Sequence, residues 1–239
     1  MNRKILTLIT VPLVALSLVY ATVFSHRHFS GILNIADIKL VEITSPHYPL
    51  CIGITRTTRT ALVYTDFESY PTGWTSNGGI WSITTGYKGG ALQGVDNDAG
   101  TGYASHYYYN SDLSTHSSLW ISVKTRHVSG SGWYGLSLFN RRRDRFYTVE
   151  VYTDGNIEVW SWNVESEGWY RLARALIQNY SLVNWYIIVV NYNVTRTAVN
   201  FYVWVYDTSG NQVGYVNASS TSRRRFRPAY IGVEVDDVS

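Results

Sequence analysis

WYGLSLFN (133–140), RFYTVEVYTDGNIEVWSW (145–162), GWYRLARA (168–175), NWYIIVVNYN (184–193) and TAVNFYVWVYD (197–207) decide the fold. Each run is of strand length and rich in aromatic and β-branched residues. The breaks between them are turn chemistry: Asp154-Gly155-Asn156, Ser166-Glu167-Gly168 and Asp207-Thr208-Ser209-Gly210-Asn211. Such runs between such breaks predict an antiparallel sheet built as a meander. Tyr147, Val149 and Val151 alternate with Thr148, Glu150 and Tyr152, which predicts one buried side and one facing solvent. Val189-Val190 and Val203-Trp204-Val205 are more continuously apolar, as central strands covered on both faces would be. After the leader no amphipathic stretch of ordinary helix length is present, so the fold class is all-β.

The composition fits that class. The chain has 239 residues, 45% hydrophobic and 15% aromatic, with 20 Tyr and 9 Trp. That supplies a core without disulfide staples. Charged residues make up 15%, against roughly 25% in an average soluble domain. Ser, Thr, Asn, Gly and Tyr hydroxyls must therefore cover much of the surface, a pattern of secreted β-proteins. A formal charge of +3 gives no argument for a nucleic-acid partner.

The N-terminus reads as an export signal. Asn2-Arg3-Lys4 is a short positive region, Ile5 to Tyr20 is uncharged and apolar, and Ala21 offers a small residue at the cleavage position. The run continues to Phe24 and is long enough to span a bilayer. Residues 1–21 are therefore a signal peptide or a membrane anchor, and an uncleaved leader would be the one membrane contact. Either way the body is extracellular or on the cell surface. Sequons at Asn179, Asn193 and Asn217 agree with export. Cys51 stands alone, so no disulfide framework and no Cys-based metal site exist.

Residues 22–60 are predicted as an N-terminal strand and connector. Gly31 to Ile43 has a largely apolar face and is broken by Ser45-Pro46-His47-Tyr48-Pro49. It pairs within its own domain or is donated to a neighbouring subunit, which would give self-assembly through residues 31–43.

The main domain, 61–239, carries a family resemblance. Asp66-Phe67-Glu68, Gly73-Trp74, Ile80-Trp81-Ser82 and Gly86-Tyr87-Lys88-Gly89-Gly90-Ala91-Leu92 resemble the opening of a laminin-G-like, concanavalin A-like jelly-roll domain. Trp133 to Leu138, Tyr147 to Val151, Asp154 to Trp160, Asn184-Trp185-Tyr186 and Ile231 to Val238 resemble its later strands in order. The resemblance covers residues 62–239. It implies a two-sheet antiparallel jelly-roll sandwich.

The resemblance also raises glycoside hydrolysis, which needs two carboxylates flanking the scissile bond. The nearest match to the superfamily's Glu-x-Asp-x-x-Glu strand is Glu234-Val235-Asp236-Asp237-Val238-Ser239, with Ser239 where the second Glu should stand. Glu150 has no acidic partner at strand spacing. No catalytic residues are therefore predicted. Binding of carbohydrate or a surface polymer, or adhesion, fits better. Tyr107, Tyr109, Trp133, Trp160 and Trp162 are the candidate platform, because flat apolar rings beside amides and carboxylates suit sugars. The competing reading places these aromatics in the core.

Two further candidates remain. Arg141, Arg142, Arg143, Arg223, Arg224 and Arg225 form a basic patch if their two loops meet, and otherwise are solvated charge. Asp96 and Asp98, in Asp96-Asn97-Asp98, offer hard oxygens for a structural calcium or simply form a turn. By resemblance, Glu68 with Asp236 or Asp237 could clamp such an ion. The alternatives to a binding module are a filament or surface-layer subunit assembled by strand donation, and a degenerate glycosidase.

Overall fold

In this computed structural model the described residues are 38–43, 59–65, 67–87, 89–96, 105–163, 168–221 and 225–237. The leader, most of the connector, Asp98, Arg223 and Arg224 lie outside them. Among the described residues no helix is long and apolar enough to cross a membrane.

Regular structure among these residues is antiparallel β throughout. In chain order the strands are β1 (Ile38–Ile43), β2 (Arg59–Thr65), β3 (Trp74–Asn77), β4 (Ile80–Thr85), β5 (Gly90–Val95), β6 (Ser105–Tyr109), β7 (Ser118–Thr125), β8 (Gly132–Phe139), β9 (Arg145–Tyr152), β10 (Asn156–Asn163), β11 (Gly168–Leu176), β12 (Tyr186–Val194), β13 (Ala198–Tyr206), β14 (Gln212–Thr221) and β15 (Tyr230–Asp237). One sheet has the order β14-β13-β12-β7-β1-β2, the second β11-β10-β9-β8-β15-β6-β3, and β4-β5 is a separate hairpin.

The turns at Asp154 and Asp207 form where the sequence places them, and Ser166 and Glu167 lie outside the described residues. Gly155 (φ 84°) and Gly210 (φ 88°) occupy the left-handed region that a tight reversal needs. The Asp154 carboxylate accepts from the Asn156 backbone N–H at 3.0 Å. Asp207 does the same for Ser209 and Asn211. The predicted meander is divided between two sheets: β8–β11 build one and β12–β14 the other. The connection stitches them together, with Ile177 N–H donating to Gly155 and Gln178 N–H to Val213.

The two large sheets share one core, giving the chain β-sandwich character. Leu119, Ile121, Ile188, Val190, Phe201 and Val203 from one meet Leu136, Leu138, Tyr147, Val149, Val151 and Ile157 from the other, all fully buried. The Tyr147 ring lies 4.8 Å from Phe201 across the gap. Each such side chain contributes roughly 1.5–3 kcal/mol by leaving water.

Two expectations change. The face of β9 read as solvent-facing is buried too: Thr148 and Glu150 are as inaccessible as Val149. β13 is not covered on both faces; its outer face carries half-exposed Tyr202 and Trp204, so its apolar continuity comes from aromatics on an open surface. Residues 38–43, for which the sequence left pairing within the domain or donation open, form an internal strand between β7 and β2. A sheet edge satisfies any strand of matching length and register, and no residue type announces which edge that will be.

Candidate functional site

The turn at residues 154–156 sets the register of β9 against β10, and Glu158 falls opposite Glu150. Gly135 of β8 lies on the other side of Glu150. Glu234 of β15 is opposite Gly135, and His106 of β6 is opposite Glu234. One continuous row therefore crosses the outer face of the second sheet: Glu158, Glu150, Gly135, Glu234, His106. Neighbouring strands are about 4.8 Å apart, so the backbones of Glu150 and Glu234 are separated by about 10 Å. A Gly135 side chain would collide with the sheet itself, its Cβ falling 1.9 Å from the Val149 carbonyl oxygen.

A bulge completes the row. The register of β10 against β11 shifts between Val159 and Trp160, so Glu158 opposes Arg174 while Trp160 opposes Arg171. The extra residue brings Arg171 and Arg174 to the same face, although they are three apart. Both reach Glu158, at 3.2 Å and 3.1 Å. Arg174 also donates to the Asn156 side chain at 2.8 Å, and Arg171 lies over the Trp160 ring.

The acids are buried, Glu150 at 1% and Glu234 at 3% exposure. Glu150 accepts from the Thr148 hydroxyl and, at 2.7 Å, from Tyr152. Burial pushes its carboxyl up to about 7; the two hydrogen bonds oppose this, and Glu158 and Asp236 add to it. Burial, with Glu150 and Asp236 beside it, holds the Glu234 carboxyl well above the usual carboxylate range. Burial lowers His106 to about 4, partly offset by the Asp96 charge. At neutral pH the lowered His106 is uncharged, so its 3.6 Å approach to Glu234 is not a salt bridge.

Ser137 sits between them, donating to Glu234 Oε2 at 2.5 Å with its Oγ 3.0 Å from His106 Nδ1. The order differs from a nucleophilic triad, where the histidine stands between hydroxyl and acid. Ser137 is also fully buried.

Aromatic rings flank the row on both sides. Trp133 packs on Tyr152 at 5.5 Å. On the other side Trp160, Trp162 and Trp169 cluster, with Trp162 4.7 Å from Phe146 and Trp169 5.9 Å from Trp162. The indole Nε1 of Trp133, that of Trp160, and Glu234 Oε1 are buried without a hydrogen-bond partner among the described residues. Buried polar atoms of this kind are rare, and each calls for a water or ligand.

Of the predicted platform, Trp133, Trp160 and Trp162 share this face. Tyr107 and Tyr109 do not: both point to the opposite side and pack on Trp74, Tyr107 stacked at 5.7 Å and buried. They are core residues, because alternation in β6 sends His106 and Tyr108 to the outer face instead. Sequence reasoning missed Trp169, Glu158, His106 and the pairing of Glu150. Counting outward from Asp154-Gly155-Asn156 would have found Glu158 opposite Glu150; the Glu234 partnership depends on a strand 97 positions from Ser137 and leaves no local signal.

Of the predicted basic patch, Arg223 and Arg224 lie outside the described residues. Arg141, Arg142, Arg145 and Arg227 line one groove with Asp144 and Phe226. Arg141 pairs with Asp112 at 2.7 Å. Arg143 (φ 61°) lies over the Tyr108 and Tyr230 rings and donates to Tyr108 and Asn110. Arg225 donates to the backbone carbonyls of Thr195 and Arg196. Most of these guanidiniums thus tie loops together.

Of the calcium candidates, Asp96 and Asp236 line one pocket. Glu68 accepts from the Gly90 backbone N–H at 2.8 Å, and Asp96 accepts from Ser105 at 2.7 Å. Asp236 lies beside Trp133 on the acid-row face. Among the described residues no three His, Cys, Asp or Glu side chains converge on a metal-sized site. Asp98 and the Asp237 side chain lie outside the described residues.

No protein-family model matches the chain, and no curated protein is significantly similar to it in sequence.

Proposed function

We propose that this is an exported, non-catalytic jelly-roll domain of concanavalin A-like type that binds a neutral carbohydrate on the outer face of β8–β11. The observation that carries the reading is one sheet face on which Trp133 stands on one side of the acid row and Trp160, Trp162 and Trp169 cluster on the other. The tryptophan rings supply an apolar platform, and the polar groups between them suit sugar hydroxyls. The guanidiniums of Arg171 and Arg174 are already engaged by Glu158, so a sulfated or uronic ligand would have to compete with that carboxylate for them. Both Glu150 oxygens are engaged by hydroxyls and Glu158 is held by two arginines, which supports binding over hydrolysis by a carboxylate pair. Calorimetry with a panel of neutral and acidic oligosaccharides tests the reading: binding restricted to neutral chains supports it, and hydrolysis of any of them overturns it.

A second reading is favoured by β1. It is held between β7 and β2 and reaches β2 through residues 44–58. A neighbour's copy of residues 31–43 fits the same slot in trans, which would make the chain a strand-donating subunit of a filament or surface layer. Light scattering on protein lacking residues 1–21 tests it: polymers that disappear on further removal of residues 22–45 support donation, and a monomer rules it out.

A further inference from the structure

The outer face of the first sheet has its own aromatic surface. Register places Trp120, Asn191, Tyr202 and Asn217 in one row across β7, β12, β13 and β14. Trp204 and Tyr215 are opposite each other in the next row. The Trp120 and Trp204 rings stack at 5.3 Å and 12°, and Tyr202 stacks on Trp204 at 6.3 Å. Tyr202 is 37% and Tyr215 41% exposed. A sheet face of large aromatics this open calls for a cover.

The cover is attached to the face. Asn217-Ala218-Ser219 is a sequon. Asn217 is exposed, directly opposite Tyr202 and two residues from Tyr215 on the same side. Its hydroxyl residue, Ser219, lies on that face as well and donates to Asn200 at 2.9 Å. Cross-strand neighbours have Cβ atoms about 5 Å apart, so the first sugar ring on Asn217 reaches the Tyr202 and Trp204 rings. The sequon at Asn193 lies one row away on the same face, opposite Asn200, whereas Asn179 is in the loop between β11 and β12.

We propose that Asn217 is N-glycosylated and that its inner sugars lie on Tyr202 and Trp204, so that the chain covers this aromatic face with its own glycan. In the modification Asn217 Nδ2 bonds to the anomeric carbon of an oligosaccharide carried on a polyprenyl phosphate. The bond from that carbon to the phosphate oxygen breaks, the lipid phosphate leaves with the electron pair, and the amide gives up one proton. The inference rests on the export in the proposed function and not on its ligand-binding face.

The test is peptide mapping by mass spectrometry on protein isolated from the surface and cytosolic fractions of its source cells, followed by hydroxyl-radical footprinting before and after enzymatic deglycosylation. The expected result is a sugar-bearing Asn217 peptide from the surface fraction, with Tyr202 and Trp204 oxidised roughly fivefold more slowly while the glycan is present, the ratio a ring-stacking preference gives. Surface protein with a bare Asn217, or a footprint unchanged by deglycosylation, overturns the inference and leaves export standing. Protein confined to the cytosol overturns export and the inference with it.

Discussion

Glu150 concentrates the chemistry of this fold in one side chain. Its carboxyl, raised to about 7, holds a proton in the folded chain that the unfolded chain releases near 4.5. The folded state therefore binds more protons between those values, and this contribution to stability falls as pH rises from about 4.5 to 7. His106, lowered to about 4 from 6.5, works in the opposite sense: its contribution falls as pH drops from 6.5 to 4. The raised Glu234 carboxyl acts in the same sense as Glu150, so the two carboxyls outweigh His106 and native stability is expected to decline as pH rises from 5 to 6.5. Glu150→Gln removes one of the opposing groups. Urea denaturation should show the variant gaining on the native chain between pH 5 and pH 8 by a few kcal/mol, since a tenfold change in a group's proton affinity on folding corresponds to about 1.4 kcal/mol. An equal difference at both values would mean that Glu150 is not held protonated. At the same scale, Trp160→Ala should weaken sugar binding about tenfold or more, the loss of one stacking ring and one N–H donor. Its melting temperature should change little, because Trp160 is half-exposed.

At the scale of the element, the turns and the bulge between β10 and β11 decide which residues meet. Gly135→Ala would drive a methyl group into the Val149 carbonyl at the centre of the sheet, with nothing flexible to give way. The expected cost is about 3 kcal/mol or more by chemical denaturation, a size reached by few single methyl additions. The element scale also marks how far the sequence could be read. The strands from Trp133 to Tyr206 and the turns at Asp154 and Asp207 were legible because alternation and glycine are local signals. The Trp160 and Trp162 pair was legible for the same reason: two residues apart on a strand means one face. Tyr107 was misplaced because alternation gives two faces without saying which is inside. The acid row was invisible because β15 and β6 lie beside β8 through long-range pairing, and only assembled register aligns Glu234 with Gly135 and His106. The bulge that turns Arg171 and Arg174 to one side has no residue signature at all.

At the scale of the molecule, two faces with different coverings enclose one core. The face of β8–β11 combines tryptophans with a buried acid row and is the proposed ligand face. The face of β7, β12, β13 and β14 combines aromatics with amides and carries two of the three sequons. β1 ties residues 38–43 into the sheet of β7, β12, β13 and β14, so a chain beginning at residue 46 should melt lower and regain stability when a peptide spanning residues 31–43 is added. A truncated chain indifferent to that peptide would show that β1 contributes nothing to the sheet. The central claim is the sugar-binding face, and isothermal titration calorimetry tests it most directly. The native chain and Trp133→Ala and Trp160→Ala variants are each titrated with neutral and with uronic or sulfated oligosaccharides. The account predicts binding of a neutral chain by the native protein, weakened in both variants, and none of the acidic ligands bound at that face. Binding that both variants retain unchanged, or that prefers the acidic ligands, would contradict it.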